Sequence, residues 1–123
     1  MHDLIFSELI AMQNALQNRM KDKWLPINPE HGHFSLLWMY EEMGELVAII
    51  KKRGADAIMC NETVRAAFIE ELCDTLMYYV DLATCYGITA EELAKGYHEK
   101  HERNMSRDFV TEHETYLDYT CER

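Results

Sequence analysis

The stretch AAFIEELCDTLMYYVDLATCYG, residues 66–87, decides the fold. Ile69, Leu72, Leu76, Tyr79, Val80 and Ala83 recur at spacings of three and four, the period of a helix face. Ala67, Tyr78, Leu82 and Cys85 fall on the other side. A helix that is apolar on both sides is buried on both sides. A chain of 123 residues can hardly do that alone, so a second subunit is expected to cover the face of Ala67, Tyr78 and Leu82. The same helix carries Glu70, Glu71, Asp74 and Asp81, and no Lys or Arg occurs between residues 66 and 86. Buried carboxylates must be paired, protonated or bound to metal.

A second window repeats the anomaly. Between residues 34 and 50 the only charged side chains are Glu41, Glu42 and Glu45, within EEMGEL, residues 41–46. Leu36, Met39, Met43, Leu46, Val47 and Ile50 give this window its own helical stripe. The pattern predicts a second helix from about His33 to Lys52, with Lys51, Lys52 and Arg53 at its C-terminal end and Gly54 as its stop. Residues 54–61 read as a short connection, and the third helix runs from about Glu62 to Tyr86.

Upstream, Ile5, Leu9, Met12, Leu16 and Met20 predict a first helix over about Asp3 to Lys21. The prolines and glycine of WLPINPEHG, residues 24–32, then predict a loop. Downstream, Thr89-Ala-Glu-Glu92 is a capping-box sequence that opens a fourth helix, continuing to about Arg107. Residues 108–123 are weakly patterned and compatible with either an arm or a short helix. The expected fold is therefore all-α, a four-helix bundle-like protomer completed by oligomerisation. Residues 1–107 form its domain, and 108–123 a tail that can contact a neighbouring subunit.

Composition narrows the partners. With only 5 Gly and 2 Pro, long helices are favoured over a turn-rich β architecture. The net charge of -10 argues against a nucleic-acid polymer, whose phosphates require a surplus of Lys and Arg. No apolar run is long enough to span a membrane, and residues 1–20 do not resemble a signal peptide. Cys60, Cys73, Cys85 and Cys121 lack CxxC spacing, and Cys73 and Cys85 lie in an apolar helical pattern. Reduced thiols of a cytoplasmic protein are expected.

Glu42 and Glu45 are three apart, as are Glu71 and Asp74, so each pair lies on one region of its helix. Two such pairs on adjacent helices can converge four carboxylates on one point. Like charges so close raise each other's pKa unless a cation intervenes. Oxygen-only ligation suits a hard ion, Mg²⁺ or Mn²⁺. The competing reading places these acids on solvated helix faces, and the absence of basic residues from both windows weighs against it. On the fourth helix, Leu93, Tyr97, Lys100, Asn104 and Arg107 share a stripe. Lys100, Asn104 and Arg107 would present two cations and an amide to a polyphosphate; solvated helix surface is the alternative. Trp38, on the side of Glu42 and Glu45, either stacks on a base or packs structurally; Trp24 lies either beside the site or as a cap on the core, and packing is the better reading. His31, His33, His98 and His101 read as solvated rather than as Zn²⁺ ligands.

Together these residues resemble the MazG-like all-α nucleotide pyrophosphohydrolases, the superfamily that includes the dimeric dUTP pyrophosphatases. The pattern EExxE, spacer, ExxD stands here as Glu41-Glu42-Met43-Gly44-Glu45 and Glu71-Leu72-Cys73-Asp74, and KxxxNxxR as Lys100, Asn104 and Arg107. The resemblance implies metal ligation by Glu42, Glu45, Glu71 and Asp74, with Glu41 orienting or activating water. It implies Mg²⁺-dependent hydrolysis of a nucleoside triphosphate to the monophosphate and pyrophosphate, in a homodimer or homotetramer. The glycine-rich closing motif of the dimeric dUTP pyrophosphatases is missing after Arg107, which argues against a strict dUTP specialist. Two other classes remain: a non-catalytic oligomeric nucleotide-binding module, and a di-iron carboxylate bundle. The second requires two ExxH motifs, and only Glu30–His33 fits one.

Overall fold

The computed structural model describes residues 1–121, which hold five helices and no strand. Helix α1 spans Phe6–Arg19, a 3₁₀ turn covers Pro29–His31, and α2 spans Gly32–Cys60. Helix α3 spans Glu62–Cys85, α4 Ala90–Ser106 and α5 Phe109–Cys121. The all-α class stands, with one helix more than the sequence predicts. Two compact units are present, Met1–Ala90 and Glu91–Arg123.

In the first unit α2 packs along α3, and α1 packs against α3. The α2–α3 pair is an antiparallel hairpin: Gly32 lies against the Tyr86 ring, and Trp38 meets Tyr78 with ring centroids 5.9 Å apart. Nearer the turn, Glu42 faces Glu71 and Asp74. The turn differs from the expected connection. Gly54 does break α2, at φ 82° and ψ 167°, but residues 55–60 resume helical structure. Asn61 then caps α3, its side-chain oxygen accepting from the Val64 N–H at 3.1 Å. Residues 55–60 are Ala-Asp-Ala-Ile-Met-Cys, and Ala and Met are good helix formers, which lets the helix resume after Gly54.

The face of α1 is also rotated from the expected stripe. Ile5 and Met12 are exposed, whereas Gln13 is buried. Its hydrogen bond to Asp81 of α3 fixes the rotation that apolar spacing alone mispredicted. On α3 neither face is covered as a whole, and Val80 of the first face is buried and Ala83 partly so. Tyr78 and Leu82 are partly buried and Cys85 is buried within the chain, while Ile69, Leu72, Leu76 and Tyr79 are exposed. Met43, Val47 and Ile50 of α2 are exposed as well. Ala67, expected under a neighbouring subunit, is exposed too, and so is Cys73, expected to be buried. Among the described apolar side chains only Val64, Val80 and Cys85 are buried.

In the second unit the undecided tail is a helix as far as Cys121; residues 122–123 and the Cys121 side chain lie outside the description. Asp108 explains the helix. Its two carboxylate oxygens accept from the Thr111 N–H at 3.0 Å and the Thr111 hydroxyl at 2.7 Å, an N-cap that starts α5.

The backbone at Gly54 occupies a region open essentially only to glycine. Gly54→Ala is expected to cost about 1–3 kcal/mol of stability, read as a lower urea midpoint with an unchanged slope.

Candidate active site

The sequence makes α2 and α3 carry acids on matching turns, and the hairpin brings them together. Ligand atoms of Glu42, Glu71 and Asp74 lie within 4.8 Å of one another, the one such group among the described residues. Each of the three is partly buried. Glu45, expected as a fourth ligand, is exposed and outside the trio, although its charge adds to the field on Glu42. No histidine joins the group. The His31 ring Nδ1 instead donates to the Pro26 carbonyl at 2.8 Å.

The trio shows the strain of like charges. The Glu42 carboxyl is pushed from 4.5 up to about 7. The largest cause is a hydrogen bond with Glu71, through which Glu42 keeps a proton; burial and the charges of Glu71, Asp74 and Glu45 follow. Glu71 Oε2 is buried without a hydrogen-bond partner. A buried oxygen of this kind calls for a ligand. The donor set is three carboxylates and nothing soft, so the trio can hold a hard divalent cation.

A cleft of about 620 Å³ opens beside the trio and includes Asp74 and Glu41 in its lining. Glu41 is exposed. Trp38 packs structurally, stacking on Phe34 at 5.7 Å with 23° between the planes, and is also part of the cleft wall. Trp24, expected to pack in the core, is exposed and lines the same cleft. Burial first, then the charges of Glu42, Asp74, Asp81 and Glu41, raise the Tyr78 hydroxyl above its ordinary value.

The sequence reading missed the cleft's polar wall. Asp81 is 3 % exposed, and Gln13 and Gln17 donate to its Oδ2 at 3.1 and 3.0 Å. Burial raises the Asp81 pKa, and the two amides oppose it. A signal was present in the sequence. Gln13 and Gln17 are four apart on α1, beside the apolar positions Leu9 and Leu16, and Asp81 stands alone in an apolar run. Lys23 also lines the cleft, a cation that helical spacing could not reveal because it lies beyond α1.

Lys100, Asn104 and Arg107 belong to the second unit. There Arg107 is engaged: its Nη2 pairs with Glu112 at 2.6 Å, its Nε reaches the same carboxylate at 3.1 Å, and its guanidinium lies over the Phe109 ring at 4.4 Å. Its Nη1 donates to Asn104 Oδ1 at 3.5 Å.

The fold is all-α, and its three clustered carboxylates could hold a metal ion beside an aromatic cleft. Residues 31–107 match the model of the MazG nucleotide pyrophosphohydrolase domain. The chain belongs to that family, and membership supports a nucleotide pyrophosphohydrolase activity. No curated protein and no solved structure matches the chain. No helix among the described residues is long and apolar enough to cross a membrane.

The raised Glu42 pKa sets a pH dependence. A proton held more tightly in the folded than in the unfolded chain stabilises folding below the unfolded value of 4.5, and the effect is lost as pH rises through about 7. Metal-free wild type is therefore expected to lose melting temperature relative to Glu42→Gln between those pH values. Parallel melting curves for the two proteins would show that the trio is not coupled.

Proposed function

We propose that the protein hydrolyses a nucleoside triphosphate to the monophosphate and pyrophosphate. The observation that carries this reading is the buried, unpartnered Glu71 oxygen within a three-carboxylate group that adjoins an aromatic cleft. Family membership supports the reaction class. Glu42, Glu71 and Asp74 would hold the metal, with Glu45 completing the set from the neighbouring turn of α2. When bound, a divalent ion such as Mg²⁺, or Mn²⁺ in its place, neutralises phosphate charge and lowers the pKa of an attacking water.

The chain's own groups supply the rest. Glu41, on the cleft wall, would orient the water and take its proton as the oxygen attacks phosphorus and the α–β anhydride bond breaks. Trp38 offers an exposed aromatic surface on which a base can stack. Lys23 would add a positive charge to the cleft. Lys100, Asn104 and Arg107 are assigned to the polyphosphate by the resemblance of KxxxNxxR; Arg107 would then exchange Glu112 for phosphate oxygens, which suit its planar fork equally well.

Purified protein with Mg²⁺ is expected to release pyrophosphate from at least one member of a panel of canonical, deoxy and modified triphosphates. Even partners in the outer shell of a metal typically cost about 10–100-fold when removed. Loss of a direct ligand in Asp74→Asn is therefore expected to lower the rate at least about 100-fold. A wild type that binds triphosphates but leaves the whole panel intact would identify a binding module instead.

Homo-oligomerisation belongs to the same proposal. The exposed stripes Met43, Val47, Ile50 of α2 and Ile69, Leu72, Leu76 of α3 run along adjacent turns of the antiparallel hairpin. They would make one apolar face, larger in character than a monomer usually leaves to water. A second copy presenting the same face would bury both, as a two-fold axis allows. Light scattering is expected to show a multiple of 14.5 kDa for wild type and a smaller species for Leu72→Glu. A wild type that stays monomeric at micromolar concentration ends this part of the proposal.

A further inference from the structure

The wall formed by Gln13, Gln17 and Asp81 has no role in metal binding or phosphate chemistry as described above. Asp81 is almost fully buried, lies about two turns beyond Asp74 on α3, and lines the same cleft as Trp24 and Trp38. No cation among its described hydrogen-bond partners balances its charge; the partners are two neutral amides. A junction between α1 and α3 could have been closed with apolar side chains at no desolvation cost, since a buried carboxylate is expensive unless its oxygens are satisfied. Both amides engage Oδ2, and Oδ1 accepts from neither. The wall thus retains acceptor capacity on Asp81. Each glutamine, having spent one N–H on the carboxylate, keeps its carbonyl oxygen and one further N–H.

Resting on the nucleotide reading of this cleft, we infer that Asp81, positioned by Gln13 and Gln17, reads the edge of the bound base and selects bases that carry an exocyclic amino group over uracil and thymine. The chemistry is one of matching. An amino group offers N–H donors to the Asp81 carboxylate, and the adjoining ring nitrogen or N–H can meet a glutamine amide. Uracil and thymine present a single N–H flanked by two carbonyl oxygens. Turned toward this wall, they bring oxygen lone pairs against the carboxylate. A site built to hydrogen-bond a substrate group discriminates strongly against an analogue that leaves its buried polar atoms unpaired. The aromatic surfaces of Trp24 and Trp38 tolerate any base, because every base has a stackable face. Discrimination therefore falls to the polar wall.

The probes are CMP and UMP, which have nearly the same shape and differ in one amino-for-carbonyl exchange and one ring proton. Their affinities are measured by calorimetry on the full chain, without turnover. Wild type is expected to bind CMP about tenfold or more tightly than UMP, the effect of one well-made polar contact. Asp81→Asn exchanges an acceptor for a donor at constant shape, and is expected to bring the ratio near one or invert it. Gln17→Met, at a partly buried position, is expected to narrow the ratio in the same direction, and it decides the matter if Asp81→Asn does not fold. Equal wild-type affinities, a preference for UMP, no binding of either, or variants that weaken both nucleotides equally would overturn the inference. The last outcome would leave the network as a clamp between α1 and α3. A protein that prefers CMP yet hydrolyses no triphosphate would sink the catalytic reading and keep this one; a protein that hydrolyses triphosphates without regard to the base would do the reverse.

Discussion

Glu42, Glu71 and Asp74 are held together against their own repulsion by the hairpin that carries them. Helices α2 and α3 pack antiparallel along their length, and their turns come into register around Trp38–Tyr78 and Gly32–Tyr86. With that register, ligand atoms of the three acids lie within 4.8 Å of one another. The repulsion is therefore expressed in protonation rather than in distance: Glu42 keeps its proton to about pH 7, and one Glu71 oxygen remains buried and unpartnered. Such a group could hold a cation, which would relieve all three charges at once.

The same hairpin builds the cleft, but only with the help of α1. Asp81 lies two turns beyond Asp74 on α3 and is bonded by Gln13 and Gln17 across the helix interface. Those two bonds set which side of α1 faces inward. They also line the cleft with polar atoms close to the aromatic surfaces of Trp24 and Trp38. Fold stability and ligand selection can thus rest on the same three side chains, which is why a test on them needs a binding ratio and not a melting temperature alone.

The second unit has its own logic. Asp108 caps α5 through Thr111, and Arg107 just before it reaches Glu112 one turn into that helix. The hydrogen-bonded ion pair holds the Arg107 pKa above and the Glu112 pKa below their ordinary ranges, and the hydrogen bonds from the Thr111 N–H and hydroxyl hold the Asp108 pKa below its own. These are exposed interactions, weakened by solvent and salt, so Arg107 can exchange one anionic partner for another at little cost.

The sequence by itself determined the helical class, the positions of α2, α3 and α4, the break at Gly54 and the two acidic pairs. These are local properties: apolar spacing, glycine stops, and acids in windows without bases. It also placed Glu42, Glu71 and Asp74 on successive helices, where a hairpin can bring them together. Only tertiary structure decided the rest. It left Glu45 exposed and outside the trio, which spacing alone does not show, since Glu71 and Asp74 have the same three-residue spacing and both belong to it. It chose the Gln13 face of α1 over the Met12 face, because a hydrogen bond to Asp81, 68 positions away in the chain, is invisible to periodicity. It buried Val80 and Cys85 from opposite faces of α3 and left Ile69, Leu72 and Leu76 exposed, because a helix apolar on both sides carries no mark of which neighbour each side will meet.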